Sequence, residues 1–253
     1  MGRVPVSITE EVSMKICLAR SSVRLDTDPE RIRSATKEIE LAARVSHQTS
    51  EKVTENSHLE FTRHLIERGH EAALEFGPRI QATFVCSRAI ANEIVRHRLA
   101  SYMQESTRYV NYADSITFIL PIAIRLYAGA ESDLSNIAST TGAQVSLDDS
   151  LRSECIGLPM EDGGYMLCTW FASVLYAYDC YRKLMNLGVP RQIARDVLPM
   201  CLKTELVVSA NIREWRHIFA LRTSKSAHPE MRFLMGCLKS MLADLSPVLF
   251  DGG

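Results

Sequence analysis

Apolar and polar positions alternate from Ser13 to Ala19, with Met14, Ile16 and Leu18 facing one way and Lys15, Cys17 and Ala19 the other, which predicts a strand. Asp28-Pro29-Glu30 predicts a helix start, because aspartate accepts from unsatisfied N–H groups and proline suits the first helical position. Ile32, Ala35, Ile39 and Ala42 then share one face of a helix running to about Val45. A second helix from about Glu55 turns Leu59, Thr62 and Ile66 to one side, and Gly69 stops it. Ile80 to Cys86 alternates again, with Ile80, Ala82, Phe84 and Cys86 on one face of a strand. Ser87 then caps a helix whose stripe is Ile90 and Ile94 and which leads into Arg96-His97-Arg98. Glu93 lies three residues before Arg96 and four before His97, so the three share the opposite face.

In the second half, Ser115 to Tyr127 predicts an apolar helix entered or kinked at Pro121. Glu131 to Asp162 is rich in Ser, Thr, Gly and Asp without a firm period, and reads as an irregular insertion with room for one short helix. Tyr165 to Leu187 is a long helix closed by Gly188, and Pro190 to Val197 a short one ended by Pro199. Met200 to Val208 fits strand and helix alike; Trp215 to Leu221 and Pro229 to Leu245 fit helices. No internal repeat or long linker is present. The fold class expected is α+β, a helix-rich single domain over 1–253 with a small mostly antiparallel sheet and an insertion at about 131–162. The absence of Gly-x-Gly-x-x-Gly argues against a dinucleotide-binding doubly wound sheet.

Apolar residues at 46% and charged residues at 23% describe an ordinary globular chain, and a net charge of −1 argues against a general nucleic-acid coat. The 22 arginines outnumber the 7 lysines, which suits planar recognition of phosphate and carboxylate, although GC-rich coding gives the same bias. Seven scattered cysteines without a Cys-x-x-Cys pair read as small core residues in a reducing compartment. Met1 to Glu11 lacks the apolar core of a secretory leader, and Tyr165 to Tyr178 is too short to span a bilayer. His58, His64 and His70 recur every six residues, which scatters them around a helix, so no metal is expected.

The candidate chemistry starts at Arg96-His97-Arg98 and continues through Ser101, Tyr102, Gln104, Glu105, Ser106, Thr107 and Arg108. Guanidinium forks take phosphate oxygens two at a time, and hydroxyls complete such a cradle. Arg96-His97-Arg98, seven residues, then Ser106, together with Ser87-Arg88-Ala89 and Gln104 to Tyr109, resembles the signature of the flavin-dependent thymidylate synthases. Asn211 to Arg222 resembles the C-terminal motif of that family, Pro190 to Pro199 a third block and Gly69 to Glu75 a fourth. The matched blocks span roughly residues 40–235 and leave 131–162 unmatched.

The resemblance implies a fold of that family and methylation of dUMP to dTMP. Methylenetetrahydrofolate is the implied carbon donor, and NADPH reduces FAD. It implies dUMP contacts for Glu93, Arg96, Gln104, Glu105, Ser106, Thr107, Arg108, Arg195 and Arg222, with Arg222 catalytic through the uracil ring. It implies FAD contacts for Ser46, Ala72, Arg96, His97, Arg98, Leu99, Asn211, Arg213, His217 and Leu221. Glu93 and Gln104 stand where many members carry Gln and Glu, Met103 replaces a smaller or amide residue, Ala72 a hydroxyl residue and Phe76 a histidine. Such an enzyme is expected to be a homo-oligomer, a homotetramer with shared sites, in the cytoplasm (a host's if viral), with no membrane or stable nucleic-acid partner. On a straight helix Asn211, Trp215, Ile218 and Arg222 share one face, and Arg213, His217 and Leu221 another, so two ligands or two subunits are expected around it. Glu214 and Arg216 are expected to be solvated and Trp215 to be core. The rival readings are a non-enzymatic RNA- or nucleotide-binding module gripping phosphates through Arg96, Arg98 and Arg108, and a flavoprotein reductase without methyl transfer.

Overall fold

The alternation after Ser13 becomes strand β1 (Lys15–Ala19), followed by β2 (Ser22–Leu25), in a computed structural model that describes residues 14–46, 48–125, 144–147 and 163–251. Asp28 caps helix α1 (Pro29–Arg33), its side chain accepting from the Glu30 N–H at 3.1 Å. The single helix expected to Val45 breaks at Ser34 and resumes as α2 (Ala35–Val45). The Ser34 hydroxyl donates to the Glu30 carbonyl at 2.9 Å, the local competition that weakens serine inside helices. Ala42 is only half-buried, while Arg44 is buried, paired with Glu40 at 2.6 Å and 4.4 Å from the Phe61 ring centroid. Helix α3 (Ser57–Glu67) turns His58 and Thr62 inward and leaves the expected Leu59 exposed; its buried face is set by the 2.7 Å hydrogen bond between His58 Nδ1 and Thr36. Gly69, at φ +70°, ends that segment in the left-handed region.

A 3-10 stretch (Glu71–Phe76) leads to β3 (Ile80–Ser87), α4 (Arg88–Ile94) and β4 (Ser101–Gln104). Then come β5 (Ser115–Ile119), α5 (Ile122–Arg125), β6 (Gln144–Leu147) and α6 (Gly163–Asn186). Helix α7 (Arg191–Ala194) continues as a 3-10 turn, Arg195–Val197. The chain closes with β7 (Lys203–Ala210), α8 (Ile212–Arg222), α9 (Pro229–Leu245) and α10 (Pro247–Phe250). The ambiguous run after Met200 is therefore a strand. The helix expected from Ser115 is a strand as far as Ile119, because β1 pairs with it in parallel from Lys15↔Ser115 to Ala19↔Ile119. A short apolar run with Ile116 and Phe118 inside fits either period, and the pairing decides. Most of the expected insertion, with any helix in it, lies outside the described residues; Gln144–Leu147 within it pairs with β1.

The chain divides into two compact units, one from Met1–Ala19 and Thr107–Pro199, the other from Arg20–Ser106 and Met200–Gly253. The first carries the three-stranded parallel sheet β5-β1-β6, which the sequence reading did not foresee. The second carries the expected antiparallel sheet, in the order β2-β3-β7-β4. Its core joins the predicted Ile80, Ala82, Phe84 and Cys86 to Leu206, Val208 and Ala210, with Trp215, Phe219, Leu234 and Leu238 packed over them. The five described cysteines are free, and Cys86 alone among them is fully buried, with burial pushing its thiol up to about 12. No helix among the described residues is long and apolar enough to cross a membrane.

Trp215 is wholly buried and donates its indole N–H to the Ile80 carbonyl at 3.0 Å. Replacing it with Phe removes a buried hydrogen bond and is expected to lower unfolding free energy by about 1–3 kcal/mol. Chemical denaturation of the Trp215→Phe protein measures this; an unchanged midpoint would contradict it.

Candidate active site

The site is built at one end of the antiparallel sheet. Strand β3 runs to Ser87, whose hydroxyl caps α4 by accepting from the Ile90 N–H at 3.3 Å. Helix α4 carries the chain back, so that β4 starts at Ser101 opposite Ser209, two residues before Asn211. The Arg96–Ala100 turn and the start of α8 are thereby brought to the same edge. The helical ladder has ended by then: Arg96 and His97 donate back only three residues, to Glu93 and Ile94. The expected sharing of one helix face by Glu93, Arg96 and His97 therefore does not occur. Tyr102 pins this turn, its hydroxyl 2.9 Å from the Ile94 carbonyl oxygen and 2.5 Å from that of His97. Burial raises the phenol to about 12, so it remains a donor.

Arg222, the last residue of α8, inserts into the turn. Its Nε donates to His97 Nε2 at 2.9 Å, Nη1 to Glu93 Oε2 at 3.1 Å and Nη2 to the Glu93 carbonyl at 3.1 Å. An imidazole nitrogen that accepts carries no proton, so His97 is neutral with its hydrogen on Nδ1, 3.9 Å from Glu214 Oε1. Burial first, then the Arg222 cation and the neighbouring His217, hold its pKa down at about 4. His97 is thus a neutral group between Arg96 and Arg98. Arg96 and Arg98 are exposed, and neither forms an ion pair among the described residues.

A cleft of about 1010 Å³ opens here, and its walls include Arg96, His97, Arg98, Leu99, Asn211, Arg213, His217, Leu221 and Arg222. Eight of the ten residues expected around FAD are in that wall. The other two are not: Ser46 is exposed, donating to the Ala43 carbonyl at 2.7 Å, and Ala72 is exposed on the 3-10 stretch. Asn211 also caps α8, accepting from the Glu214 N–H at 2.8 Å. Asn211 and Arg222 from one face of α8, and Arg213, His217 and Leu221 from the other, all line this cleft, which extends along the helix with Arg222 at its end. Trp215 is core as expected. Glu214 is buried, not solvated, and burial raises its pKa against the pull of His217. Arg216 is mostly covered too, donating to the Leu249 carbonyl.

Glu71 and Glu75 were missed by sequence reasoning, yet both line the cleft. Glu75 holds Arg213 at 2.6 Å, and Glu71 lies 3.9 Å from the same guanidinium. Their four-residue spacing was visible, but the arginine they hold lies 138 residues beyond Glu75.

The residues expected around the nucleotide fall in both units. In the unit with the cleft, Gln104 donates to Thr204 at 3.3 Å, Glu105 pairs with Lys203 at 3.0 Å, and Ser106 is half-buried. In the other unit Arg195 donates to Thr107 at 2.7 Å, which joins two of the expected residues, and the Arg108 guanidinium lies 5.8 Å from the Tyr109 ring centroid.

A family model described as thymidylate synthase complementing protein matches residues 30–248. The chain belongs to the flavin-dependent thymidylate synthase family. A flavin-dependent thymidylate synthase of Mycobacteroides abscessus is 33% identical over 228 residues, covering 84% of this chain and 77% of that one. One from Geobacter sulfurreducens is 27% identical, covering 85% and 81%. The fold is shared with a UMP/dUMP methylase, PolB, from Streptomyces cacaoi solved with 5-Br UMP, at a TM-score of 0.69 and 22% identity over 94% of this chain and 95% of that one. As a flavin-dependent thymidylate synthase the protein is a methyltransferase that converts dUMP to dTMP.

The cleft fits a flavin nucleotide: it stands at the large end of ligand pockets, and its exposed Arg96 and Arg98 suit a pyrophosphate.

The depressed His97 pKa has a signed consequence. The unfolded chain takes up a proton near pH 6.5 and the folded one near 4, so His97 makes no penalty above 6.5 and lowers stability as pH falls between the two. From pH 7 to 5 this is worth about 2 kcal/mol. His97→Gln keeps an acceptor without titrating, and its stability is expected to fall by about 2 kcal/mol less over that range. Denaturant midpoints at both pH values provide the measurement, and parallel losses would refute the assignment.

Proposed function

We propose that the cleft holds FAD, and that Arg222 polarises the uracil ring of dUMP while methylenetetrahydrofolate supplies the carbon and NADPH the reducing equivalents. The observation that carries this reading is the fixed guanidinium of Arg222 beside the exposed Arg96 and Arg98 in a cleft of about 1010 Å³. Arg96 and Arg98 meet pyrophosphate oxygens; His217, Leu99 and Leu221 supply wall, and Asn211 and Arg213 polar contacts. When bound, the flavin supplies hydride to the incoming carbon.

The chain's own part is electrostatic. Carbon 5 of uracil is a weak nucleophile, and negative charge spreads to the ring carbonyls as it attacks. A guanidinium already held at three nitrogens meets that charge with little reorganisation. Arg96, Ser106, Arg108 and Arg195, with Thr107, take the nucleotide as hydrogen-bond donors to its phosphate, and Glu93, Gln104 and Glu105 help to hold the nucleotide away from the phosphate. Ser46 and Ala72 remain in the proposal as lesser flavin contacts. Residues 1–253 act as one catalytic domain, in a cytoplasmic homotetramer with shared sites.

Anaerobic turnover of dUMP with methylenetetrahydrofolate and NADPH tests the reading; a colourless protein that instead binds RNA with steep salt dependence would overturn it. Arg222→Ala is expected to keep the flavin spectrum while lowering methylation by about 100- to 1000-fold. Unchanged turnover would remove its role.

A further inference from the structure

Glu214 is the third residue of α8, the position from which a glutamate commonly reaches back to the backbone N–H of the residue that caps the helix. The Asn211 cap bonds the Glu214 N–H, but the return bond is not made. Among the described residues the Glu214 carboxylate accepts no hydrogen bond at all, and Oε1 stands 3.9 Å from His97 Nδ1. Yet only 6% of the Glu214 side chain is exposed, and only 6% of that of His97. Both residues belong to the wall of the cleft. Covered polar groups are normally hydrogen-bonded, because desolvating one without a partner is costly.

The chemistry of the missing partner follows from what the two groups offer. His97 accepts from Arg222 at Nε2, so its hydrogen is on Nδ1 and points to no acceptor within bonding distance. The wall therefore carries a donor beside an acceptor, too far apart at 3.9 Å to satisfy each other. A phosphate oxygen only accepts, and it would meet the carboxylate with like charge. A ring N–H only donates, which leaves the imidazole unmet. A hydroxyl does both at one atom. Flavin nucleotides carry hydroxyls in two places, on the polyol chain beside the ring and, in FAD, on the adenosine ribose.

We infer that Glu214 and His97 form a hydroxyl-binding pair in the cleft: Nδ1–H of His97 donates to a sugar-type hydroxyl of the bound flavin nucleotide, which donates in turn to the Glu214 carboxylate. The inference rests on the flavin reading above and adds an anchor for the uncharged part of the nucleotide. The second bond is charge-assisted, so it is the stronger of the two.

The test compares FAD with two analogues, one lacking the hydroxyls of the polyol chain and one lacking those of the adenosine ribose. Each is titrated into the flavin-free wild type and into Glu214→Leu, whose side chain is of similar size but accepts no hydrogen bond. The wild type is expected to bind one analogue about tenfold or more weakly than FAD, and the analogue affected identifies the hydroxyl. Glu214→Leu is expected to bind FAD weakly by a similar factor and to lose most of the distinction between FAD and that analogue. A role confined to folding would weaken all three flavins alike and leave the ratio unchanged, which overturns the inference. So does a wild type that binds all three equally, the result expected if solvent joins the two groups. Melting temperature reports folding of the variant. Should Glu214→Leu fail to fold, Glu214→Gln keeps a neutral acceptor and is expected to shrink the ratio by about threefold or more; an undiminished ratio overturns the inference. A wild type that binds no FAD overturns the flavin reading itself, and this inference with it.

Discussion

The pairing of β3 with β7 is the constraint from which the cleft follows. Eight residue pairs, from Ile80↔Ala210 to Ser87↔Lys203, lock these strands in antiparallel register. That register determines where α4 leaves the sheet and where α8 begins. Pairing of β4 with β7 then returns the chain from the arginine turn at Ser101, beside Ser209. A slip of one residue would turn Ile80, Ala82, Phe84 and Cys86 to the opposite face and unseat Trp215, so the hydrophobic core holds the register in place. Arg222 meets His97 as a consequence of strand pairing, across 125 residues of sequence.

Electrostatics within the cleft are divided between satisfied and unsatisfied cations. Glu71 and Glu75 neutralise Arg213, and Glu93 neutralises Arg222, whereas Arg96 and Arg98 have no carboxylate among the described residues. Opposed charges at one wall fix geometry, and uncompensated charge at another draws anions. The neutral imidazole of His97 is the hinge of this arrangement. A cation there would repel Arg222 at 2.9 Å, and burial keeps it from forming.

Local signals in the sequence were reliable where a single segment decides the outcome. Asp28 and Ser87 cap the helices they were expected to cap, Gly69 ends its segment, and the alternation from Ile80 is a buried strand. The wall of the cleft was legible because its residues cluster in two motifs. Long-range partners were not. Nothing local in Ser115–Ile119 distinguishes a strand beside β1 from the start of an apolar helix. Nothing near His97 announces that Arg222 will take its nitrogen. Glu214 looks solvated on a helical wheel, and only the depth at which α8 is set makes it buried.

The interleaving of the two units has a kinetic side. Arg20–Ser106 supplies β2, β3 and β4, but the strand that joins β3 to β4 arrives only with Lys203–Ala210. During synthesis, a ribosome must therefore extrude the entire Thr107–Pro199 segment while β3 and β4 wait for the strand that lies between them. Closing so long a loop is slow, and waiting strands expose apolar edges. Yield in a cell should accordingly depend on chaperone supply during that interval more than on the final stability of the protein.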